Sequence, residues 1–324
     1  MIITRTPYRI SLFGGGTDHP SWYQKNCGAV LSFTIDKYSY LNVRVLPPFF
    51  NHKYRISYSK VEELKNLSEI KHPAVRQAFV KYAQGKHLEL HHHGDLPARS
   101  GVGSSSAFSV GVIQALLALN EKKVTAIELA KLAIEFEQVD LAENVGSQDQ
   151  IACALGGINF ISFGPQNYWD AEPVVLSDSY IQEIEKRIIL IYSGIDRVSS
   201  NVTKYLLENI DLKVVEMKRT QQLAEECKNI FLTEGELSII GPMLIESWEL
   251  KRKSNPAAVN PNLENFFMRG LSAGASGGKI LGAGGGGFFL FWVEPENETK
   301  FRESMSSHII IPIRISKTGS TRIL

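Results

Sequence analysis

The chain has 324 residues, 44% of them hydrophobic, and a formal net charge of +1. That length and apolar content suit two domains, or a single one, with a full core, and the near-neutral charge excludes the basic surface of a nucleic-acid binder. No apolar run approaches the roughly 20 residues that span a membrane, the start lacks the continuous apolar stretch of a secretory signal, and the three widely spaced cysteines, Cys27, Cys153 and Cys227, suit a reducing compartment, so a soluble cytoplasmic protein is expected.

Residues 8–13 read as a strand, cut by Gly14-Gly15-Gly16. Residues 29–45 read as strands, with β-branched and aromatic residues in rough alternation, until Pro47-Pro48 breaks the run. A short strand is expected at 54–58, a helix at 74–82 and a strand at 88–93. The last of these carries His91-His92-His93. Successive strand residues face opposite sides, so only His91 and His93 could share an ion. No third ligand stands nearby, and a structural or exposed role is the expectation. Next comes Pro97-Ala98-Arg99-Ser100-Gly101-Val102-Gly103-Ser104-Ser105-Ser106-Ala107, a glycine and serine loop opening a long apolar helix.

A helix starting at Thr125 or Ala126 carries Leu129, Leu132, Ala133 and Phe136 at helical spacing and should stop near Asn144-Val145-Gly146. Ser147-Gln148-Asp149-Gln150 has the Ser-x-x-Gln form of a capping box and opens the next helix, which Gly156-Gly157 ends. Strands are expected at 158–163 and 174–176, with a two-proline loop across 164–173. A buried strand at 188–192 begins a second block. The lobe boundary therefore falls near residue 185, giving lobes 1–185 and 186–324. Helices are expected at 201–209, 214–233 and 237–250, then the segment Gly282-Ala283-Gly284-Gly285-Gly286-Gly287 and a strand at 288–293.

The loop at 97–107 has the chemistry of an anion cradle. Gly101 and Gly103 let the backbone approach a ligand closely. The first N–H groups of the helix lack intrahelical acceptors and carry partial positive charge, and phosphate is their natural guest. Serine hydroxyls offer oxygen to Mg²⁺. The loop is not a Walker A, because no lysine follows the glycines. Phosphate charge must then be met by backbone dipoles, Mg²⁺ and basic side chains from elsewhere. A flexible linker is the alternative, and so apolar a following helix counts against it.

Asp149 is the candidate base. It falls at the second helical position, where a helix N-terminus favours the carboxylate. An aspartate that only complements the dipole fits the residues equally. Glu137 lies twelve residues earlier, bordering the apolar stripe. On sequence alone it also reads as a solvated glutamate on a helix flank, and Glu135 and Glu143 are rivals. The segment at 282–287 formally satisfies Gly-x-Gly-x-x-Gly, but a strand rather than a helix follows, against a dinucleotide site.

Pro-x-x-x-Gly-x-Gly-Ser-Ser-Ser-Ala at 97–107 resembles the phosphate-loop signature of the GHMP small-molecule kinases, which include galactokinases, mevalonate kinases and homoserine kinases. The segment from Pro7 to Asp18 and the glycines at 282–287 lie where that family has its first and third motifs. The resemblance thus runs from Pro7 to about Phe291. Within the family, residues 9–18, 95–106 and 143–150 are most similar to bacterial D-glycero-D-manno-heptose 7-phosphate kinases. The resemblance implies an α+β, two-lobed GHMP-kinase-like architecture with the active site in the cleft. It implies transfer of the ATP γ-phosphoryl to the anomeric oxygen of the heptose 7-phosphate, with Mg²⁺ as cofactor.

The same resemblance implies site roles. Asp149 is its catalytic aspartate, and Arg9 sits near the transferred phosphate, where a delocalised positive charge suits phosphoryl transfer. Gly101, Val102, Gly103, Ser104, Ser105 and Ser106 would hold ATP. Gly15, Gly16, Thr17, Asp18, Gly284 and Gly285 would join Arg9 and Asp149 around the sugar, and Ser105 and Glu137 would bind Mg²⁺. Lys279, just before the third motif, is open to contact with phosphate or to solvent. Galactokinases carry Gly-Glu-His-Thr-Asp where this chain has Gly14-Gly15-Gly16-Thr17-Asp18; the Thr-Asp pair survives and the Glu-His pair does not, which speaks against galactose. Arg99, Arg197 and Lys37 are available for the substrate's own phosphate. The expected partners are ATP and a sugar phosphate, with a homodimer open. The alternatives are a kinase of another sugar such as fucose, a sugar-phosphate sensor without catalysis, or a nicotinamide oxidoreductase. Retention of Glu137 and Asp149 favours an enzyme over a sensor.

Overall fold

The computed structural model describes residues 1–195 and 199–324, so Arg197 lies outside the described residues. β1 (Ile2–Phe13) and the 18-residue β2 (Gly28–Val45), joined through α1 (Pro20–Asn26), pair antiparallel along most of their lengths. Their β-branched and aromatic side chains suit an extended backbone covered on both faces. β3 (Tyr54–Ser57), β4 (Val61–Leu64), α2 (Pro73–Tyr82) and β5 (Leu88–Gly94) follow. Then come α3 (Ser104–Leu119), α4 (Ala126–Glu135), α5 (Gln148–Leu155) and the hairpin of β6 (Ile158–Gly164) and β7 (Tyr168–Pro173). α6 (Asp178–Arg187) leads to β8 (Ile188–Tyr192), and α7 (Ser199–Asn209), α8 (Val214–Leu232), α9 (Ile240–Ser254) and α10 (Pro261–Ser272) precede β9 (Gly277–Ile280) and β10 (Phe288–Trp292). α11 (Glu298–Ser304), β11 (Ile310–Ile311) and β12 (Thr321–Arg322) end the chain.

Two sheets result, a mixed helix-and-sheet architecture. One has the order β12-β1-β2-β5-β3-β4, with β6 on the first half of β2 and β7 outside β6; the other runs β11-β8-β10-β9. Among the described residues only β3 and β5 pair parallel. The first sheet takes its strands from residues up to Pro173 and from β12, which returns the chain end to β1 through Thr4 and Arg5. α3 lies close on β1 and β2. Gly111 permits that approach, since an added Cβ would come 2.9 Å from both Leu41 Cδ1 and Thr6 Oγ1. A second core is aromatic: Trp248 stacks on Phe267 at 4.8 Å, and Phe266, Phe289 and Phe291 fill the rest. Among the described residues no helix is long and apolar enough to cross a membrane.

Four local expectations are corrected. The strand expected at 174–176 lies earlier, at β7, inside what reads as a two-proline loop. Gln166 and Asn167 both take positive φ (62° and 57°), a turn whose twist matches a hairpin. The helix expected to reach residue 144 ends at Glu135 and passes into a π-helical turn, Phe136–Asp140. The capping box at 147–150 does not form: the Ser147 hydroxyl accepts from Gln138 at 3.0 Å, and the Gln150 amide reaches Glu137. The helix expected from 237 starts at Ile240 and runs on to Ser254.

Candidate active site

A cavity of about 1210 Å³ opens where the phosphate loop, the end of β1, the start of α5 and the second glycine segment meet. Gly103 is the N-cap of α3, at φ 73°, and no side chain caps the helix. Its leading N–H groups are left for an anion. Gly101 (φ 92°) has no room for a Cβ, which would lie 2.5 Å from the Leu281 carbonyl; one on Gly287 would lie 2.4 Å from the Ser100 carbonyl. Phe288 N–H donates to that same Ser100 oxygen at 3.1 Å. The two glycine segments therefore lie backbone to backbone. Gly282 and Ala283 line the cavity. Gly284 and Gly285 do not: Gly285 N–H donates to Ala258 O at 2.8 Å, and a Cβ on Gly284 would meet Ala258 Cβ at 2.6 Å.

The β1–β2 register shifts between Pro7 and Arg9, and such bulges re-aim a side chain. Arg9 points at α5. Its Nε and Nη2 donate to the two carboxylate oxygens of Asp149 at 2.7 and 2.6 Å, and its Nη1 donates to Gly101 O at 2.7 Å. Burial works against the Arg9 charge, and Asp149 more than restores it. This fork lies against the phosphate loop: a Cβ on Gly103 would come 3.0 Å from Arg9 Cγ and 3.4 Å from Asp149 Oδ2. Asp18 lines the cavity and accepts from Gly16 N–H at 2.9 Å and Gln148 N–H at 3.3 Å. Gly15 and Gly16 line it as well. Thr17 turns inward instead, its hydroxyl donating to Gly14 O at 2.8 Å and Ala29 O at 3.0 Å. Val102 is fully buried, and its carbonyl accepts from Arg9 N–H at 3.0 Å.

Glu137 sits in the π turn after α4, a geometry often found at functional sites. It is buried, accepts from the Ser106 hydroxyl at 2.9 Å and from the Gln150 amide, and its Oε1 has no partner among the described residues. Burial pushes it up to about 7, against the pull of the hydroxyls and amide around it. The serine that hydrogen-bonds Glu137 is thus Ser106, and Ser105 stands exposed in the cavity. Ser104 accepts from Arg99 N–H at 3.0 Å. An unsatisfied carboxylate oxygen beside serine hydroxyls at a helix N-terminus is a hard oxygen donor set, and it fits Mg²⁺.

Lys279 is neither solvated nor on a loop. It is buried in β9 and lines the cavity, with its ammonium donating to Leu12 O at 2.9 Å and Ser11 O at 3.3 Å. Burial pushes it down to about 7, helped by the Arg9 charge. Arg99 lines the cavity; Lys37 is turned to Asp36 at 3.1 Å. Sequence reasoning missed Lys251, whose ammonium donates to Gly282 O at 2.5 Å. It stands in the basic last turn of α9, which reads as an ordinary complement to the helix dipole. His91 bonds Glu89 at 2.8 Å and His92 bonds Ser39 at 3.0 Å, and among the described residues no group of three or more His, Cys, Asp or Glu could hold a metal.

A lysine-free phosphate loop facing an Arg–Asp fork and a buried carboxylate defines a phosphotransfer site. The sequence matches GHMP kinases N terminal domain over residues 69–157 and GHMP kinases C terminal over residues 224–311. The chain belongs to the GHMP kinase family. Over 305 residues it is 31% identical to the D-glycero-alpha-D-manno-heptose 7-phosphate kinase of Campylobacter jejuni, covering 91% of this chain and 90% of that one. It is 25% identical to the bifunctional fucokinase/GDP-fucose pyrophosphorylase of Arabidopsis thaliana over 95% of this chain and 31% of that protein. Among solved structures, a D-glycero-D-manno-heptose 1-phosphate kinase from Bacteriodes thetaiotaomicron superposes with a TM-score of 0.83 at 22% identity, covering 100% of this chain and 99% of that one. The galactokinase of Lactococcus lactis, solved with galactose, gives 0.75 at 19% identity over 99% and 94%. These two share the fold. The chain is an ATP-dependent phosphotransferase acting on a sugar.

Proposed function

We propose that this enzyme transfers the γ-phosphoryl group of ATP to the anomeric hydroxyl of D-glycero-D-manno-heptose 7-phosphate, giving the 1,7-bisphosphate. The observation that carries the reading is the Arg9–Asp149 fork seated on the phosphate loop; the similarity to the Campylobacter jejuni enzyme over 91% of the chain supports the choice of sugar. In this reading the N–H groups of residues 104–106 hold the ATP phosphates. Asp149 faces the acceptor hydroxyl and receives its proton. Arg9 fixes the plane of that carboxylate and offers its remaining N–H donors to the phosphoryl group in transit. Asp18, held by two backbone N–H groups, keeps lone pairs free for sugar hydroxyls. Glu137 and Ser105, with Ser106 supporting Glu137, would hold Mg²⁺, which neutralises phosphate charge when bound. We further place the lobe division near residue 185 and the enzyme in the cytoplasm.

The test is ATP consumption across a panel of sugars and sugar phosphates, with product position read by phosphorus NMR. Turnover is expected with the heptose 7-phosphate, with the new phosphate on C1, and is expected to stop in excess chelator. Preference for fucose, or undiminished turnover in chelator, would overturn the reading.

A further inference from the structure

Glu137 and Asp149 stand on separate elements, and two glutamines join those elements. The π turn closes through Leu141 N–H donating to Phe136 O at 2.9 Å, a bond that spans five residues. From this turn Gln138 donates to Val145 O at 3.1 Å and to Ser147 Oγ at 3.0 Å. From the first turn of α5 Gln150 donates in the other direction, to Glu137 Oε2. Ser147 and Gln150 are the pair whose spacing has the form of a capping box, and the box does not form. Both side chains are engaged with the π turn instead.

Every residue in the first turn of α5 is therefore tied outward. Ser147 is held by Gln138, and its N–H donates to Asp18 O at 3.0 Å. Gln148 N–H donates to Asp18, Asp149 is forked by Arg9, and Gln150 is fixed on Glu137. Glu137 in turn is gripped on one oxygen only. Ser106 and Gln150 both donate to Oε2, which leaves Oε1 bare in the cavity wall. Gln150 is fully buried, and its own Oε1 has no partner among the described residues. Buried oxygens are nearly always paired, so two bare acceptors on neighbouring side chains suit a cation and its hydration shell.

A partner that orients a metal-binding carboxylate changes metal affinity by roughly 10–100-fold when it is removed. Gln150 holds that place against Glu137. It is also next in the chain to Asp149, so a shift of the carboxylate toward a metal pulls on the turn that carries the base. Gln138, next to Glu137, gives the turn its second hold. The two ties run in opposite senses, Glu137 to Gln150 and Gln138 to Ser147, and they bracket Asp149.

We infer that Gln150 is a positioning residue that aims the Glu137 carboxylate at Mg²⁺, and that Gln150 and Gln138 together carry metal occupancy to the turn bearing Asp149. The inference rests on the placing of Mg²⁺ at Glu137 above. The test uses the full chain with ADP bound. Mn²⁺ stands in for Mg²⁺, with its Kd read by electron paramagnetic resonance, and amide hydrogen exchange over residues 148–152 is followed with and without Mg²⁺. Gln150→Met should weaken Mn²⁺ binding about tenfold. In a Glu137→Gln background it should cost nothing further, because it acts through that carboxylate. Mg²⁺ should slow exchange across 148–152 in the wild type. Gln138→Leu, at a half-buried position, should keep the metal affinity and lose that slowing. Wild-type Mn²⁺ affinity in Gln150→Met, or additive losses in the double variant, overturns the positioning role. A lower melting temperature with the Mn²⁺ titration unmoved does the same and marks a structural role. Wild-type exchange that Mg²⁺ leaves unchanged overturns the coupling without any variant, and slowing that survives Gln138→Leu removes Gln138 from it. Mn²⁺ binding that Glu137→Gln does not weaken overturns the placing of the metal, and this inference with it.

Discussion

At the residue scale the site turns on two carboxylates held in different ways. Asp149 has both oxygens engaged by Arg9 and keeps part of its surface toward the cleft, its side chain 23% exposed. A sugar hydroxyl is a poor nucleophile, and a placed carboxylate can take its proton as the phosphoryl group arrives. Asp149→Asn keeps the size and most of the hydrogen bonding but loses the basicity. It should lower kcat by roughly 10²-fold, the low end for general-base catalysis, because positioning and charge do most of the work in phosphoryl transfer. Nucleotide titration should show ATP affinity unchanged. Turnover within about threefold of wild type would leave Asp149 with positioning alone. Glu137, in contrast, has one oxygen held by Ser106 and Gln150 and the other with no partner. Glu137→Gln should raise the Mg²⁺ concentration needed for half-maximal rate about tenfold or more. An unchanged Mg²⁺ titration would remove it from the metal site, and Ser105→Ala beside Ser106→Ala shows which hydroxyl shares that role.

At the scale of elements, the two glycine segments explain each other. Gly101, Gly282 and Gly287 pack backbone on backbone, all at positive φ. Gly101→Ala forces a side chain into a left-handed conformation, which costs about 1–2 kcal/mol on its own, and pushes a methyl onto Leu281 O. The variant should melt several degrees lower and lose ATP affinity as the loop shifts. Wild-type melting and affinity together would show that the contact is not needed. The phosphate loop, β1, β2, β5 and the helices α3, α8 and α9 were legible in the sequence because each is a local pattern: alternation, helical spacing or glycine placement, whereas α10 (Pro261–Ser272) was not read from it. The π turn at 136–140 was not, since one extra residue per turn leaves the preceding 3.6-residue spacing intact. β7 was hidden by prolines at 165 and 173 that bound a hairpin rather than a loop. The Arg9–Asp149 fork joins residues 140 positions apart. That Ser106 hydrogen-bonds Glu137 while Ser105 faces the cavity was not legible either, because helix rotation, not spacing, decides which of two adjacent serines turns inward.

At the scale of the molecule, the cleft exists because two sheets are tied together at its floor, and Lys279 is one of the ties. It stands in β9 of the second sheet and donates to the carbonyls of Ser11 and Leu12 in β1 of the first, where the β1–β2 register shifts. Its ammonium is buried near Arg9, which pushes it down to about 7 in the folded chain, while an unfolded lysine titrates near 10.4. Between those values the unfolded chain binds a proton that the folded chain does not. Stability then rises with pH from about 7 toward 10, by at most about 1.4 kcal/mol per pH unit for this one group. Burial pushes Cys153, Cys227 and Tyr8 up, and each of these costs stability as pH approaches 9 and above, so the wild-type curve alone mixes opposite slopes. The difference between wild type and Lys279→Met isolates the lysine. Urea unfolding at pH 7, 8 and 9 should show wild type gaining on the variant with each step. Parallel curves would mean that Lys279 keeps its proton in the folded chain and that an anion or carboxylate balances its charge.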